Sequence, residues 1–289
     1  MHPLRYALLV VLAIAVYALG QNGRSKTPQT QNRIVAQEVV ISGTTTLDTS
    51  QLQDIASSLT AVTMRDDEDE VKERIRNAFQ ERGYFDAEVT NLKIQALDPL
   101  ASKKPVRIEA EMQEDPRYKF AGFNFTGNQA VSGDELRKML PLHVGEIFST
   151  GKVRSGLESL REQYVAMGFL DFYVVPSTDR TGSAQLTLTF DITEGKQYRM
   201  GAMELEGKSD LVQQLQPRWE LKAGEPFDPA YIEKYLSRNS ELLPEGFDRG
   251  RDIQGVRDCR DRTVNVRIEL DPKRPWTPKP QDKPCEEAK

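Results

Sequence analysis

The chain has 289 residues, of which 38% are hydrophobic and 29% charged. That is polar for one large core and suits several small modules, each with much surface for its volume. The formal net charge of −5, from 39 basic and 44 acidic residues, argues against general binding to nucleic acid or an anionic membrane, both of which call for a basic surface.

Met1–Gly20 reads as a signal peptide. Arg5 supplies the positive start, Tyr6 to Tyr17 the apolar stretch, and Ala18-Leu19-Gly20 the small-x-small cleavage shape. An uncleaved N-terminal anchor is the alternative, although the apolar run to Leu19 is short of the roughly 20 residues of a membrane span. Either way the rest of the chain is exported. Residues 21–33 are polar, carry Pro28 and read as a linker.

A first module is expected over 34–116. Val39 and Ile41 alternate up to Gly43, as in a strand. Leu52, Ile55 and Leu59 recur at helical spacing, and so do Val71, Ile75, Ala78 and Phe79, which stop at Gly83. A strand follows through Val89, Leu92 and Ile94. Val106, Ile108, Ala110 and Met112 then hold strict period two, the mark of a strand with one buried face.

A second module, 117–197, repeats that order. Phe123, Phe125 and Gly127 answer Val39, Ile41 and Gly43. Leu136, Met139 and Leu140 mark a first helix, behind Ser132 as its cap. Val153, Leu157, Leu160 and Tyr164 mark a second, ended by Gly168. Phe172-Tyr173-Val174-Val175 is the next strand. Leu186, Leu188, Phe190 and Ile192 match the alternating strand of the first module at an offset of 80.

A third module, 198–276, is degraded. Met203, Leu205 and Gly207 open it, and Leu211 and Leu215 suggest a short helix. Ile232, Tyr235, Leu236, Leu242 and Leu243 carry a longer helix, which Pro244 is expected to end. Val264, Val266, Ile268 and Leu270 close it at a further offset of 78. Residues 277–289 are rich in Pro, Lys, Asp and Glu and read as a disordered tail. Of the two cysteines, Cys259 sits before the last strand and Cys285 in the tail. In an oxidising compartment they could pair.

The recurring order of strand, helix, helix, strand, strand predicts an α+β repeat, with each small mixed sheet of three strands covered on one face by two helices. The module resembles a POTRA (polypeptide-transport-associated) domain, as found ahead of the barrel in BamA-like and TamA-like assembly factors and two-partner secretion transporters. The resemblance is carried by Phe123-Asn124-Phe125-Thr126-Gly127-Asn128, by Gly168-Phe169-Leu170-Asp171, and by Glu194-Gly195-Lys196-Gln197-Tyr198-Arg199-Met200-Gly201. It is strongest in the second module and weakest in the third. The sequence offers no series of ten-residue alternating segments of the kind a transmembrane barrel uses.

Chemistry has little to work with. His143, the one histidine past the leader, sits in the loop Pro141-Leu142-His143-Val144-Gly145 and reads as solvated. Asp66-Asp67-Glu68-Asp69-Glu70 lacks the glycine and spacing of a calcium loop and suits a helix N-terminus instead. No phosphate loop or nucleophile elbow is present. The chain is therefore expected to be no enzyme, with no metal and no cofactor.

What remains is a strand edge able to pair with an incoming strand. Pro176 follows Val175 directly, and proline is tolerated at sheet edges. The expected binding strand is thus Phe172, Tyr173, Val174 and Val175, with Ala87 to Ile94 as a weaker counterpart. The resemblance implies the same: POTRA domains are thought to receive partner or client strands on this edge. It implies a periplasmic interaction module associated with the outer membrane, whose partner is a β-barrel protein or its unfolded client strands. The alternatives are a bitopic inner-membrane protein similar to the FtsQ and DivIB division proteins, or a structural spacer.

Overall fold

The computed structural model describes residues 33–271, apart from 44–45, 61, 99–100, 102–103, 114–115 and 183. The expected leader, most of the linker and the tail lie outside the described residues. The architecture is α+β, with three mixed sheets in tandem.

The first repeat runs β1 (Arg33–Ser42), α1 (Thr49–Thr60), β2 (Thr63–Arg65), α2 (Glu68–Gln80), β3 (Glu88–Ala96) and β4 (Lys104–Gln113). β4 lies parallel to β1 and antiparallel to β3. Val106, Ile108, Ala110 and Met112, the expected period-two face, are all at most 2% exposed. They pack with Ile55, Leu59, Val71, Ile75 and Phe79 from the two helices. This sheet carries one strand beyond the expected three. β2 pairs antiparallel with the start of β1 and buries Met64. At three residues it is too short to show a period.

The second repeat runs β5 (Lys119–Thr126), α3 (Gly133–Met139), α4 (Thr150–Ala166), β6 (Tyr173–Arg180) and β7 (Gln185–Thr193), with strand order β5-β7-β6. The third runs β8 (Arg199–Glu206), α5 (Ser209–Leu215), α6 (Pro229–Arg238), β9 (Ile253–Asp258) and β10 (Thr263–Glu269), in the order β8-β10-β9. Its core gathers Met200, Leu215, Phe227, Tyr235, Leu236, Val264, Val266, Ile268 and Leu270. Leu242 and Leu243 are not on the helix as the spacing suggested. α6 ends at Arg238, ahead of Pro244, because the buried Asn239 turns its side chain back onto the Tyr235 carbonyl at 2.7 Å. Leu242 follows in a single 3₁₀ turn.

One irregularity recurs in all three opening strands. Ala36/Glu38, Phe120/Gly122 and the stretch from Met200 to Met203 each insert one extra residue against the parallel partner strand. Such a bulge resets the phase of a strand. Ile34 and Ala36 are buried before it, and Val39 and Ile41 join the same core after it.

The described residues fall into two compact units. One holds residues up to Thr126 with Gly133–Leu157 and Pro176–Asp191. The other holds Gly127–Ser132, Glu158–Val175 and Ile192 onward. In the second unit Cys259, in the turn between β9 and β10, is disulfide-bonded. Alkylation of the denatured, unreduced protein is therefore expected to label no thiol, and alkylation after reduction to label two, as mass spectrometry would read directly. Labelling at Cys259 without reduction would contradict the bond.

Candidate functional site

An edge strand leaves every second backbone N–H and C=O unpaired, so the sheet edges are the places where this fold can accept another chain. β3, β6 and β9 each form one edge of their sheet. On the other side β1 is covered by β2. The matching strands β5 and β8 are met there by the loop before the second helix, through bridges at Ile147 and Pro226 and the backbone hydrogen bonds around them.

β6 spans eight residues and passes through Pro176, twice the length expected. Tyr173 and Val175 are 56% and 47% exposed, and Val174 is half-buried. Phe172 stands apart from them. It precedes the strand and is buried, its ring stacked on Tyr164 at 4.3 Å. Three of the four expected residues thus lie on the edge strand, and Phe172 is a core residue. In the first repeat Ala87 is likewise buried ahead of the edge strand β3, which carries its own bulge between Val89 and Asn91.

The end of α4, just ahead of the turn into β6, is held by a hydrogen-bonded carboxylate. Tyr164, fully buried on α4, donates its hydroxyl to Glu194 Oε1 at 3.0 Å. The same oxygen accepts the N–H groups of Gln129 and Ala130 at 2.8 and 2.9 Å. Burial, and then the Glu194 carboxylate, push the Tyr164 hydroxyl well above the usual range. The Glu194-Gly195 motif is therefore used to tie the loop after β5 to α4.

Beside the distal half of β6, in the first unit, an apolar recess opens between that strand and the start of α4. Phe85, Phe148, Val153, Leu157 and Leu188 form its walls, and Pro176 and Thr178 its strand side. The hydroxyl of Thr150, at the head of α4, is buried in this wall and has no hydrogen-bond partner among the described residues. Phe148 belongs to a pattern the sequence reading passed over. Leu142-His143-Val144-Gly145-Glu146-Ile147-Phe148 is answered in the third repeat by Leu221-Lys222-Ala223-Gly224-Glu225-Pro226-Phe227. Gly145 and Gly224 donate to the carbonyls of Phe120 and Met200, both at 2.8 Å, so each loop is stitched to its opening strand.

His143 is exposed at the tip of that loop, 3.5 Å from the Glu146 carboxylate. The acidic run serves α2, as its position suggested. Asp67 caps the helix by accepting the Asp69 N–H at 3.0 Å, and Glu70 pairs with Arg65 and Arg74 at 2.5 and 2.9 Å.

The POTRA family model, described as a surface antigen variable number repeat, matches residues 34–111 and 118–195. A putative outer membrane protein assembly factor of Treponema pallidum is 29% identical over 123 residues, 42% of this chain and 15% of that protein. The outer membrane protein assembly factor BamA of Neisseria meningitidis is 22% identical over 199 residues, 64% of this chain and 25% of that protein. The chain thus spans a quarter or less of the length of these relatives. Among solved structures, Haemophilus influenzae BamA POTRA3-5 aligns with a TM-score of 0.56 at 16% identity, covering 85% of this chain and 99% of that one. That likeness is one of fold.

Proposed function

This chain belongs to the POTRA family, and from that premise we propose that it is a non-catalytic, periplasmic protein-interaction module. It accepts extended strands of an outer-membrane β-barrel protein or of unfolded clients. The proposed division into acting units is 34–116, 117–197 and 198–276, with β6 as the main acceptor and β3 a weaker one.

The observation that carries this reading is the open edge of β6 with exposed Tyr173 and Val175. Backbone pairing is tolerant of sequence, so an edge of this kind suits many clients. Pro176 supports an edge that is open but restrained. Thr181 donates its N–H to the Gln185 carbonyl at 2.9 Å across the hairpin. Counted back by twos, the backbone of Ser177 faces β7 while that of Thr178 and Pro176 faces outward. The missing proline N–H then falls in the outward row, where it costs the sheet no internal bond and leaves a gap in the ladder offered to a newcomer.

Photocrosslinking in cells tests the proposal, with reactive residues at Tyr173 and Val175 and at the exposed helix position Arg161 as control. Crosslinks from the two strand positions alone, to a barrel protein or its precursors, are the expected result. Equal yield at all three positions, or none at any, would remove β6 as the acceptor.

A further inference from the structure

The turn that ends the second helix of one repeat is bonded to the sheet of the next repeat, and the same three residue types meet there twice. In the first unit the turn is Gly83-Tyr84-Phe85-Asp86. Tyr118 donates its N–H to the Gly83 carbonyl at 2.8 Å and its hydroxyl to Asp86 Oδ2 at 3.0 Å. Arg180, the last residue of β6, grips the same carboxylate with two nitrogens, Nε at 3.2 Å and Nη2 closer still. Phe148 donates its N–H to the Tyr118 carbonyl at 2.9 Å and sets its ring edge-on to Phe85 at 5.4 Å.

In the second unit the turn is Gly168-Phe169-Leu170-Asp171. Tyr198 donates its N–H to the Gly168 carbonyl at 2.8 Å, and its carbonyl accepts the Phe227 N–H at 3.0 Å. Arg257, on the edge strand β9, donates to Asp171 Oδ1 at 2.7 Å and lies over the Tyr198 ring at 5.5 Å. Burial, and then the Asp171 carboxylate, push the Tyr198 hydroxyl above its usual range. So an aspartate from one repeat, a tyrosine from the connector and an arginine from the edge strand of the following repeat meet at both junctions.

We propose that Asp86–Tyr118–Arg180 and Asp171–Tyr198–Arg257 are matching junction clamps that fix the angle between consecutive repeats. Neither clamp depends on strand addition, since neither set needs a client. Duplication carries the proposal. The sequence between corresponding positions differs in length and kind, yet the same three side-chain types arrive in the same roles. At the first junction the two-nitrogen arginine–carboxylate contact defines direction as well as distance, which a lone lysine would not supply; at the second Arg257 gives one nitrogen to Asp171 and sets its guanidinium over the Tyr198 ring. Both pairs are partly exposed: the Arg180 and Asp86 side chains at 50% and 24%, the Arg257 and Asp171 side chains at 44% and 45%. Tyr118 and Tyr198 are buried, at 7% and 2% exposed, so the arginine–aspartate pair is the part of each clamp that can break on its own.

The test measures spin–spin distances in the full chain, with labels on introduced keto amino acids so that the native cysteines stay untouched. Glu73 with Lys138 reports the first junction and Glu162 with Gln214 the second; all four positions are exposed. The wild-type chain is expected to give one narrow distance at each junction. Asp86→Ala should raise the fraction of molecules away from that distance by about two- to fivefold, the population change that goes with losing an exposed ion pair, at the first junction alone. Asp171→Ala should do so at the second alone. The exchanged pair Asp86→Arg with Arg180→Asp should narrow the first distribution again, and it decides the matter if a single variant fails to fold. Unchanged distributions in folded single variants, or an exchanged pair that folds but stays broad, would overturn the proposal.

Discussion

Replacing Phe190 with alanine is expected to cost about 3–5 kcal/mol, the range for truncating a fully buried phenylalanine. Phe190 sits in the middle of β7 with no exposure, directly opposite Phe125 of β5. Its ring lies 5.6 Å from that of Phe123 and 5.8 Å from that of Phe125. Truncation removes two aromatic contacts as well as the buried area and leaves a void between β5 and β7. A repeat of this size buries a smaller share of its surface than a large domain does, so a loss of this magnitude removes most of its stability. Because the chain folds as more than one unit, a single melting temperature would mix transitions. Hydrogen exchange of the β5 and β7 amides isolates the effect. Asn124→Ala, on the exposed face of β5, is the control and should change stability by no more than about 0.5 kcal/mol. Comparable loss of protection in both variants would refute the central place given to the aromatic cluster.

The period-two runs were the most legible part of this fold. Leu186, Leu188, Phe190 and Ile192 alternate without interruption, and their burial follows the alternation. The opening strands were half legible, because the bulge breaks their phase. Tyr118 and Phe120 face the core before it, Phe123 and Phe125 after it, and no single period contains both pairs. β2 was illegible, since three residues ahead of an acidic run carry no pattern. Tyr173 to Val175 lie on the edge strand as expected, and Phe172 lies in the core before it. A row of four apolar residues looks uniform, and only the packing of Tyr164 shows that the first of them is committed to the core. The junction contacts lay furthest from reach. Asp86 and Arg180 are 94 positions apart in the chain, and a lone aspartate and a lone arginine carry no periodic signal. The Gly168-Phe169-Leu170-Asp171 turn that holds one half of the second clamp did stand out, as did Tyr198 in the family motif.

Gly127→Ala tests what the Phe-x-Phe-x-Gly pattern is for. Gly127 ends β5 at a φ of +77°, and a Cβ there would stand 2.0 Å from the carbonyl oxygen of Ile192, well inside contact distance. The substitution is expected to cost about 2–4 kcal/mol, combining the left-handed backbone penalty with a forced shift of the chain after β7. Gly182, in the hairpin between β6 and β7, separates the two parts. Its φ is +74°, but a Cβ there meets nothing within 4 Å. Gly182→Ala should therefore show the backbone penalty alone, about 1–2 kcal/mol, and the excess in Gly127→Ala measures the close approach. Hydrogen exchange of the β5, β6 and β7 amides in the two variants gives the comparison; equal losses would mean that backbone conformation alone selects glycine at Gly127. Gly43 meets the Met112 carbonyl in the first repeat in the same manner, with a hypothetical Cβ at 2.5 Å. A glycine that lets the end of the first strand close onto the end of the last is a requirement of sheet geometry. It recurs because the sheet recurs, which is why such a motif identifies the fold.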